Sequence, residues 1–189
     1  MDAKLAALLD KLAALLDKQE ITEALTRFSR GMDRLDRDLF LSAFHEDAEM
    51  AAGPFVGTVG ECADWSFPMH QEGQILTHHA LLNITIDLDG DTAHTETYYL
   101  FVARNKDESL VHAGGRYIDR FERRPKDGQG GEWKIALRTN AIEWAGLLPN
   151  IPIPFSDVPD LYGNGAPARD RSDPSYRRPL TNLRERKIP

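Results

Sequence analysis

Three observations predict an α+β fold in which helices lie across one curved antiparallel sheet. The amino-terminal third of the chain places apolar residues at three- and four-residue steps. From Ile75 onward the pattern changes to strand-like segments: Thr77 to Leu88, Thr92 to Arg104, Leu110 to Arg123 and Trp133 to Trp144. Between them stand Asp89-Gly90-Asp91, Asn105-Lys106-Asp107 and Lys126-Asp127-Gly128, each suited to a hairpin turn.

The first helix is predicted from residues 4–17, two tandem copies of Lys-Leu-Ala-Ala-Leu-Leu-Asp. Two heptads are too few for a free-standing coiled coil, so the segment reads as an amphipathic helix docked on its own domain, with a subunit contact as the competing reading. A second helical stripe follows in Ile21, Ala24, Leu25, Phe28 and Met32, with Gly31 near its end. Asp33 falls on the flank of that buried stripe, where a carboxylate needs a partner: backbone donors, Arg34 or Arg37, or a histidine brought in by the fold. Asp36 and Asp38 read as caps of a helix over Leu39 to Phe44. Gly53-Pro54-Phe55-Val56-Gly57 reads as a turn, followed by a short helix around Cys62 to Phe67. Past the strands, Pro149, Pro152, Pro154 and Pro159 forbid regular structure, and the Arg- and Pro-rich end predicts an extended arm that wraps a neighbouring subunit, covers the pocket mouth or stays solvated. The expected divisions are 1–18 for the amphipathic helix, 19–148 for the α+β domain and 149–189 for the arm.

Composition narrows the function classes. A chain of 189 residues that is 41% apolar fits one domain with a sizeable core. A net charge of −7, with acids and bases interspersed, points away from nucleic acid and anionic membrane surfaces. Cys62 is the only cysteine, which excludes an internal disulfide and a thiolate metal site. No apolar run approaches the ~20 residues of a membrane span, and Asp10, Lys11, Asp17 and Lys18 interrupt any signal-peptide core, so a cytoplasmic location is expected.

The chemistry concentrates in Thr77-His78-His79-Ala80-Leu81-Leu82-Asn83. On a strand, alternation puts Thr77, His79, Leu81, Asn83 and Thr85 on one face and His78, Ala80, Leu82, Ile84 and Ile86 on the other. The first set mixes an imidazole and an amide with apolar neighbours, as a pocket wall does, which singles out His79. His78, His94 and His112 read as outward-facing or structural, while His45 and His70 decide nothing.

Taken in order, Gly-Met-Asp33-Arg-Leu-Asp, Glu46-Asp-Ala-Glu, Thr-His78-His79-Ala-Leu-Leu-Asn83, Gly114-Gly-Arg-Tyr-Ile-Asp-Arg-Phe-Glu-Arg-Arg124 and Trp133-Lys-Ile-Ala-Leu-Arg138 resemble the SnoaL-like branch of the NTF2-like superfamily. Within it the chain looks most like the scytalone dehydratase, hexachlorocyclohexane dehydrochlorinase and bile-acid dehydratase group, over about residues 15 to 145. The resemblance implies a cone-shaped α+β barrel, its helices and curved sheet enclosing one deep apolar pocket. It also implies catalytic roles for Asp33 and His79 as a dyad and for Arg138 as an electrostatic partner, and a pocket-wall role for Tyr117. Phe28 and Met50 stand where relatives carry a lysine or tyrosine and a tryptophan, which makes the expected pocket more apolar and argues against the same chlorinated substrate. Thr77, Asn83, Val111, Ala113 and Trp144 complete the expected substrate-binding set.

An imidazole is the side chain poised to take a proton near neutrality, and a carboxylate at its other nitrogen fixes the tautomer. The expected function is a cofactor-independent lyase of the dehydratase type acting on a small hydrophobic, cyclic substrate. An isomerase or cyclase using the same base, and a non-catalytic binding or assembly module, are the alternatives. No metal is called for, and no His-x-His, His-Glu-x-x-His or cysteine ligand set is present. A homo-oligomer is expected, with a trimer favoured by the resemblance and a dimer as the alternative.

Overall fold

The computed structural model describes residues 2–125, 131–149 and 159–185. One long helix, α1 (Ala3–Arg34), leads into the short α2 (Arg37–Ser42), the hairpin β1 (Phe44–Ala52) and β2 (Phe55–Thr58), α3 (Val59–Gly73), and four strands. These are β3 (Gln74–Asp89), β4 (Thr92–Asn105), β5 (Leu110–Arg123) and β6 (Trp133–Leu148). They form a six-stranded sheet in the order β2-β1-β6-β5-β4-β3. The fold is α+β as expected, with two differences. The sheet is curved but does not close on itself, and it is mixed, because β1 runs parallel to β6.

The two predicted amino-terminal helices are one. Asp2 caps α1 by accepting from the Lys4 N–H, and the helix ends at Leu35, which takes a left-handed conformation (φ 50) and returns its N–H to the Gly31 and Met32 carbonyls. Its first half does not dock: Leu5, Leu8, Leu9, Leu12, Leu15 and Leu16 remain exposed, contrary to the expected packing against the chain's own domain. Attachment begins at Asp17, whose Oδ1 accepts from Trp133 Nε1 at 2.9 Å and from Arg123 Nη1 at 2.8 Å. From there Ile21, Ala24, Leu25, Phe28 and Met32 bury the stripe read from the sequence.

Asp36 caps α2 as predicted, with Asp38 in its first turn, although α2 ends two residues earlier than expected. The predicted turn narrows to Gly53-Pro54, because β2 takes up Phe55-Val56-Gly57, and β1 was not foreseen, because the charged run His45-Glu46-Asp47 obscures the buried Phe44, Ala48 and Met50 and the register slips between Phe44 and Glu49. α3 is longer than predicted: Thr58 and Glu61 form a capping box that starts it early, and it carries Pro68 without ending there. The two hairpin turns before β4 and β5 fall where expected, whereas Lys126-Asp127-Gly128, Pro152 and Pro154 lie outside the described residues. Residues 159–185 fold back over α1 with a single 3-10 turn, Pro174–Tyr176. Among the described residues, no helix is long and apolar enough to cross a membrane.

The α1–α2 corner needs a glycine. A Cβ on Gly31 would stand 2.5 Å from the Phe40 backbone nitrogen and 2.7 Å from its Cα, and backbone cannot move aside as a side-chain tip can. Gly31→Ala should therefore destabilise the chain by about 1–3 kcal/mol despite the better helix propensity of alanine. Urea unfolding checks this, and a stabilised variant would show that the corner yields.

Candidate functional site

The site is built where α1 covers the free edge of β3. Because β3 ends the sheet, its outer backbone groups have no strand partner. Two α1 side chains one helical turn apart take that role at His79: Ser29 Oγ donates to the His79 carbonyl at 2.6 Å, and Asp33 Oδ2 accepts the His79 N–H at 2.9 Å. Asp33 Oδ1 accepts from Thr77 Oγ1 at 2.9 Å and lies 2.7 Å from His79 Nδ1. A carboxylate only accepts, so Nδ1 carries a proton, and in the neutral ring Nε2 keeps its lone pair. Arg34 and Arg37 turn elsewhere, to Asp173 and Asp64.

Burial works to raise the Asp33 pKa, but the hydrogen bonds and charge of His79, with the Thr77 hydroxyl, outweigh it and hold the carboxyl below its ordinary value. The acid is thus ionised at neutrality beside a buried imidazole.

His79 opens onto a cavity of about 350 Å³, in the range of small-molecule sites. Its walls are mostly apolar and aromatic: Phe28, Met32, Met50, Trp65, Met69, Phe101 and Ile142 among them, with Tyr99 and Tyr117 stacked 4.3 Å apart. Burial pushes the Tyr117 phenol upward against the pull of Arg138, and Tyr99 is raised for the same reason against an opposing Asn140 contact, so both hydroxyls stay protonated donors. Asn140 Oδ1 is buried at the wall with no hydrogen-bond partner among the described residues. Cys62 is buried and its thiol is raised to about 11, which makes it inert at neutral pH.

Of the residues singled out from the sequence, His79, Phe28, Met50, Ala113 and Tyr117 line the cavity, with Asp33 bonded behind His79. Others are placed elsewhere. Thr77 is buried against Asp33 rather than in the wall. Asn83 is exposed, because β3 carries one extra residue between Leu81 and Ile84, which reverses the alternation and sends Ile84 and Ile86 inward. Trp144 does not close the pocket: the bulge opposite Gly114 and Gly115 turns it to the outer face, against His112 and over Gly114. Val111 lies one inward step beyond Ala113, outside the lining. Arg138 also stands behind the wall. It is fully buried in a bidentate pair with Asp119, both bonds 2.7 Å, its guanidinium 4.0 Å and 4.3 Å from the ring centres of Phe28 and Tyr117.

The sequence reading missed His70, Tyr99, Phe101, Asn140 and Ile142. Tyr99, Phe101 and Asn140 sit at inward parity, a signal available from the strand pattern. His70 was passed over because α3 seemed to end at Phe67. Its ring lies 5.9 Å from that of His79, its Nδ1 donates to Gln74 Oε1 at 2.5 Å, and burial lowers its pKa to about 4.

Comparison with known proteins places this geometry in context. The model of the SnoaL-like domain family matches residues 13–139. No curated protein sequence matches. Among solved structures, a type 2 hexachlorocyclohexane dehydrochlorinase (LinA) is similar at TM-score 0.63 and 20% identity, covering 77% of this chain and 95% of that one. A LinA-type3 dehydrochlorinase from Novosphingobium barchaimii is similar at TM-score 0.63 and 18% identity, covering 77% and 99%. A scytalone dehydratase-like protein from Novosphingobium aromaticivorans is similar at TM-score 0.62 and 21% identity, covering 70% and 88%. At these identities the likeness is one of fold.

The neutral, buried His70 has a measurable consequence. In the unfolded chain its imidazole takes up a proton near ~6.5, in the folded chain only near about 4, so between those values the unfolded state binds more protons. Its contribution is complete above ~6.5 and is lost as pH falls toward 4. His70→Gln should flatten the loss of stability between pH 7 and 4 by up to ~2–3 kcal/mol in urea titrations. The Asp33 carboxyl acts only below ~3.9 and does not overlap. An unaltered slope in the variant would mean that folding does not shift the titration of His70.

Proposed function

The chain belongs to the SnoaL-like (NTF2-like) domain family, and from that premise we propose that it is a cofactor-independent lyase that eliminates water, or a comparable group, from a small hydrophobic cyclic molecule. The observation that carries the reading is the 2.7 Å contact between His79 Nδ1 and Asp33 at the edge of a largely apolar cavity. A binding module gains nothing from a buried imidazole held in one tautomer by an ionised carboxylate.

In the proposed reaction His79 Nε2 takes a proton from a carbon next to an activating group. The bonding pair left behind forms the new double bond as the hydroxyl departs from the neighbouring carbon. Asp33 stabilises the imidazolium, a form of general-base assistance typically worth ~10²–10⁴ in rate. The departing hydroxyl needs a proton to leave as water, and the imidazolium itself or the protonated phenols of Tyr99 and Tyr117 are the donors at hand. Asn140 Oδ1 suits a hydroxyl or amide donor on the substrate. Arg138 contributes positive potential through the Phe28 and Tyr117 rings rather than by contact.

A homo-oligomer forms part of the same reading. Tyr98, Leu100, Val102, Ile118 and Trp144 leave an apolar outer sheet face exposed, and the leucines of the first half of α1 add a second. Light scattering on the purified chain should give a multiple of the 21.3 kDa protomer; a monomer at micromolar concentration would overturn this part.

The catalytic reading is tested in two stages. Native mass spectrometry of the purified protein identifies what the cavity retains, and hydroxylated cyclic compounds of that skeleton are then assayed for loss of water. His79→Ala and Asp33→Asn should each lower kcat by about 10²–10⁴ with ligand affinity kept within a few-fold. Asparagine is chosen because it keeps the shape of Asp33 beside its three donor groups. Unaltered turnover in both variants would remove the dyad from the chemistry, and binding without turnover in the parent chain would leave a ligand-binding module.

A further inference from the structure

The arm that follows the family-matched segment reaches the back of the dyad. Arg169 places its guanidinium where the ends of α1 and α3 meet the start of β3. Nη1 donates to the His70 carbonyl at 2.9 Å and the Gln74 carbonyl at 3.4 Å; Nη2 donates to the Met32 carbonyl at 3.5 Å and to Thr77 Oγ1 at 3.4 Å. The carbonyls of Met32 and His70 belong to the last turns of α1 and α3, where the partial negative charge of a helix end favours a cation. Thr77 Oγ1 accepts from Arg169 and donates its own proton to Asp33 Oδ1, so an unbroken chain of hydrogen bonds runs from Arg169 through Thr77 and Asp33 to His79 Nδ1. Arg169 does not line the cavity.

We propose that Arg169 of the carboxyl-terminal arm is a positioning residue for the Asp33–His79 pair, holding Thr77 and the two helix ends so that the Asp33 carboxylate keeps a single orientation toward the imidazole. The proposal rests on the dyad reading for its catalytic meaning but not for its geometry. Two features support it. The arm is anchored independently of Arg169: Arg30 Nη2 donates to Ser175 Oγ and its guanidinium lies 4.8 Å from the Tyr176 ring centre, while Arg34 pairs with Asp173 at 3.6 Å. Asp173 is held at about 2, because N–H groups of Ala168 and Ser175 and the charge of Arg34 outweigh the burial that would raise it, so the anchor is ionised over the whole working pH range. The arm just beyond Arg169 is thus fixed on α1 by contacts other than those of Arg169 itself. The second feature is cost: burial opposes the charge on Arg169, and its Nε has no hydrogen-bond partner among the described residues. A half-buried cation with an orphan donor persists only where its other bonds compensate. The charged and ionisable groups around the pair are His70 from α3, Tyr117 from β5 and Arg169 from the arm, with Arg34 of α1 acting on Arg169.

The test uses the full chain labelled with ¹⁵N-histidine and follows the His79 Nδ1–H proton at pH 7.5, a readout that needs no substrate and so separates failure of this proposal from failure of the lyase reading. In the parent chain the proton is expected to resonate far downfield and to exchange slowly with water. In Arg169→Ala its exchange should quicken by about tenfold or more, as a hydrogen bond worth ~1.4 kcal/mol is lost to disorder. Arg169→Lys should restore part of the protection, and Tyr176→Ala, which removes a different arm contact, should leave the proton as in the parent. Thermal melts confirm that each variant is folded. Parent-like protection in Arg169→Ala overturns the proposal. Equal loss in Tyr176→Ala overturns it too, since the arm would then act as a cover rather than through Arg169.

Discussion

The structure turns on one carboxylate that satisfies three donors. Asp33 takes the Thr77 hydroxyl, the His79 N–H and the His79 ring N–H, all from the exposed edge of a terminal strand. An open sheet leaves such an edge as a hazard, and burying it without partners would cost about 1–3 kcal/mol per orphan group. Here the partners come from a helix, with Ser29 one turn earlier closing the opposite side of the same residue. Edge protection and tautomer selection are therefore one interaction. The contact that docks α1 on the sheet is also the contact that leaves Nε2 of His79 free.

That arrangement places heavy demands on the core around it. Phe28, one turn before Met32 on the same buried stripe, packs its ring edge-on at 5.3 Å from Tyr117 and 6.0 Å from His79. Behind Phe28 and Tyr117 lies the Arg138–Asp119 pair, wholly removed from water. Desolvating two charges is repaid only by good geometry; the two parallel 2.7 Å bonds and the faces of Phe28 and Tyr117 supply most of it, while Arg138 Nη1 stays without a hydrogen-bond partner among the described residues. Removing one partner would strand a buried charge at a cost of about 3–5 kcal/mol. The pair braces the inner wall of the sheet at the level of the cavity, behind the Phe28 ring that packs on His79.

The sequence made the long periodic elements and the inward parity of one imidazole legible: the buried face of α1, four of the six strands, and His79 rather than its neighbour His78 on the inward side. It failed where one residue is inserted into a ladder. Alternation assumes a period of two, and a single bulge inverts everything beyond it, which moved Asn83 and Trp144 outward by the same mechanism on two strands. Arg138 was expected in the site from the resemblance alone, and no sequence pattern signals its depth, because the aromatic pair in front of it is assembled from α1 and β5. His70 was lost to a helix boundary, because a proline at position 68 looks like a terminator and here is not one.

On the proposed lyase reading, reaction class and substrate choice are held by different parts of the molecule. The proposed base, His79, and its orienting acid, Asp33, come from β3 and α1, whereas α3 and the far half of β6 supply Trp65, Met69, Asn140 and Ile142. An apolar wall distinguishes ligands by shape, at about 1–3 kcal/mol per methylene. A buried polar atom discriminates more sharply, since a ligand without the matching donor leaves it unpaired. Asn140 Oδ1 is such an atom, two positions along β6 from the Arg138 that stiffens the wall. The shape of the ligand that the cavity accepts can therefore change through α3 and β6 side chains without disturbing the three bonds at Asp33, provided that the sheet beneath Asn140 keeps its place.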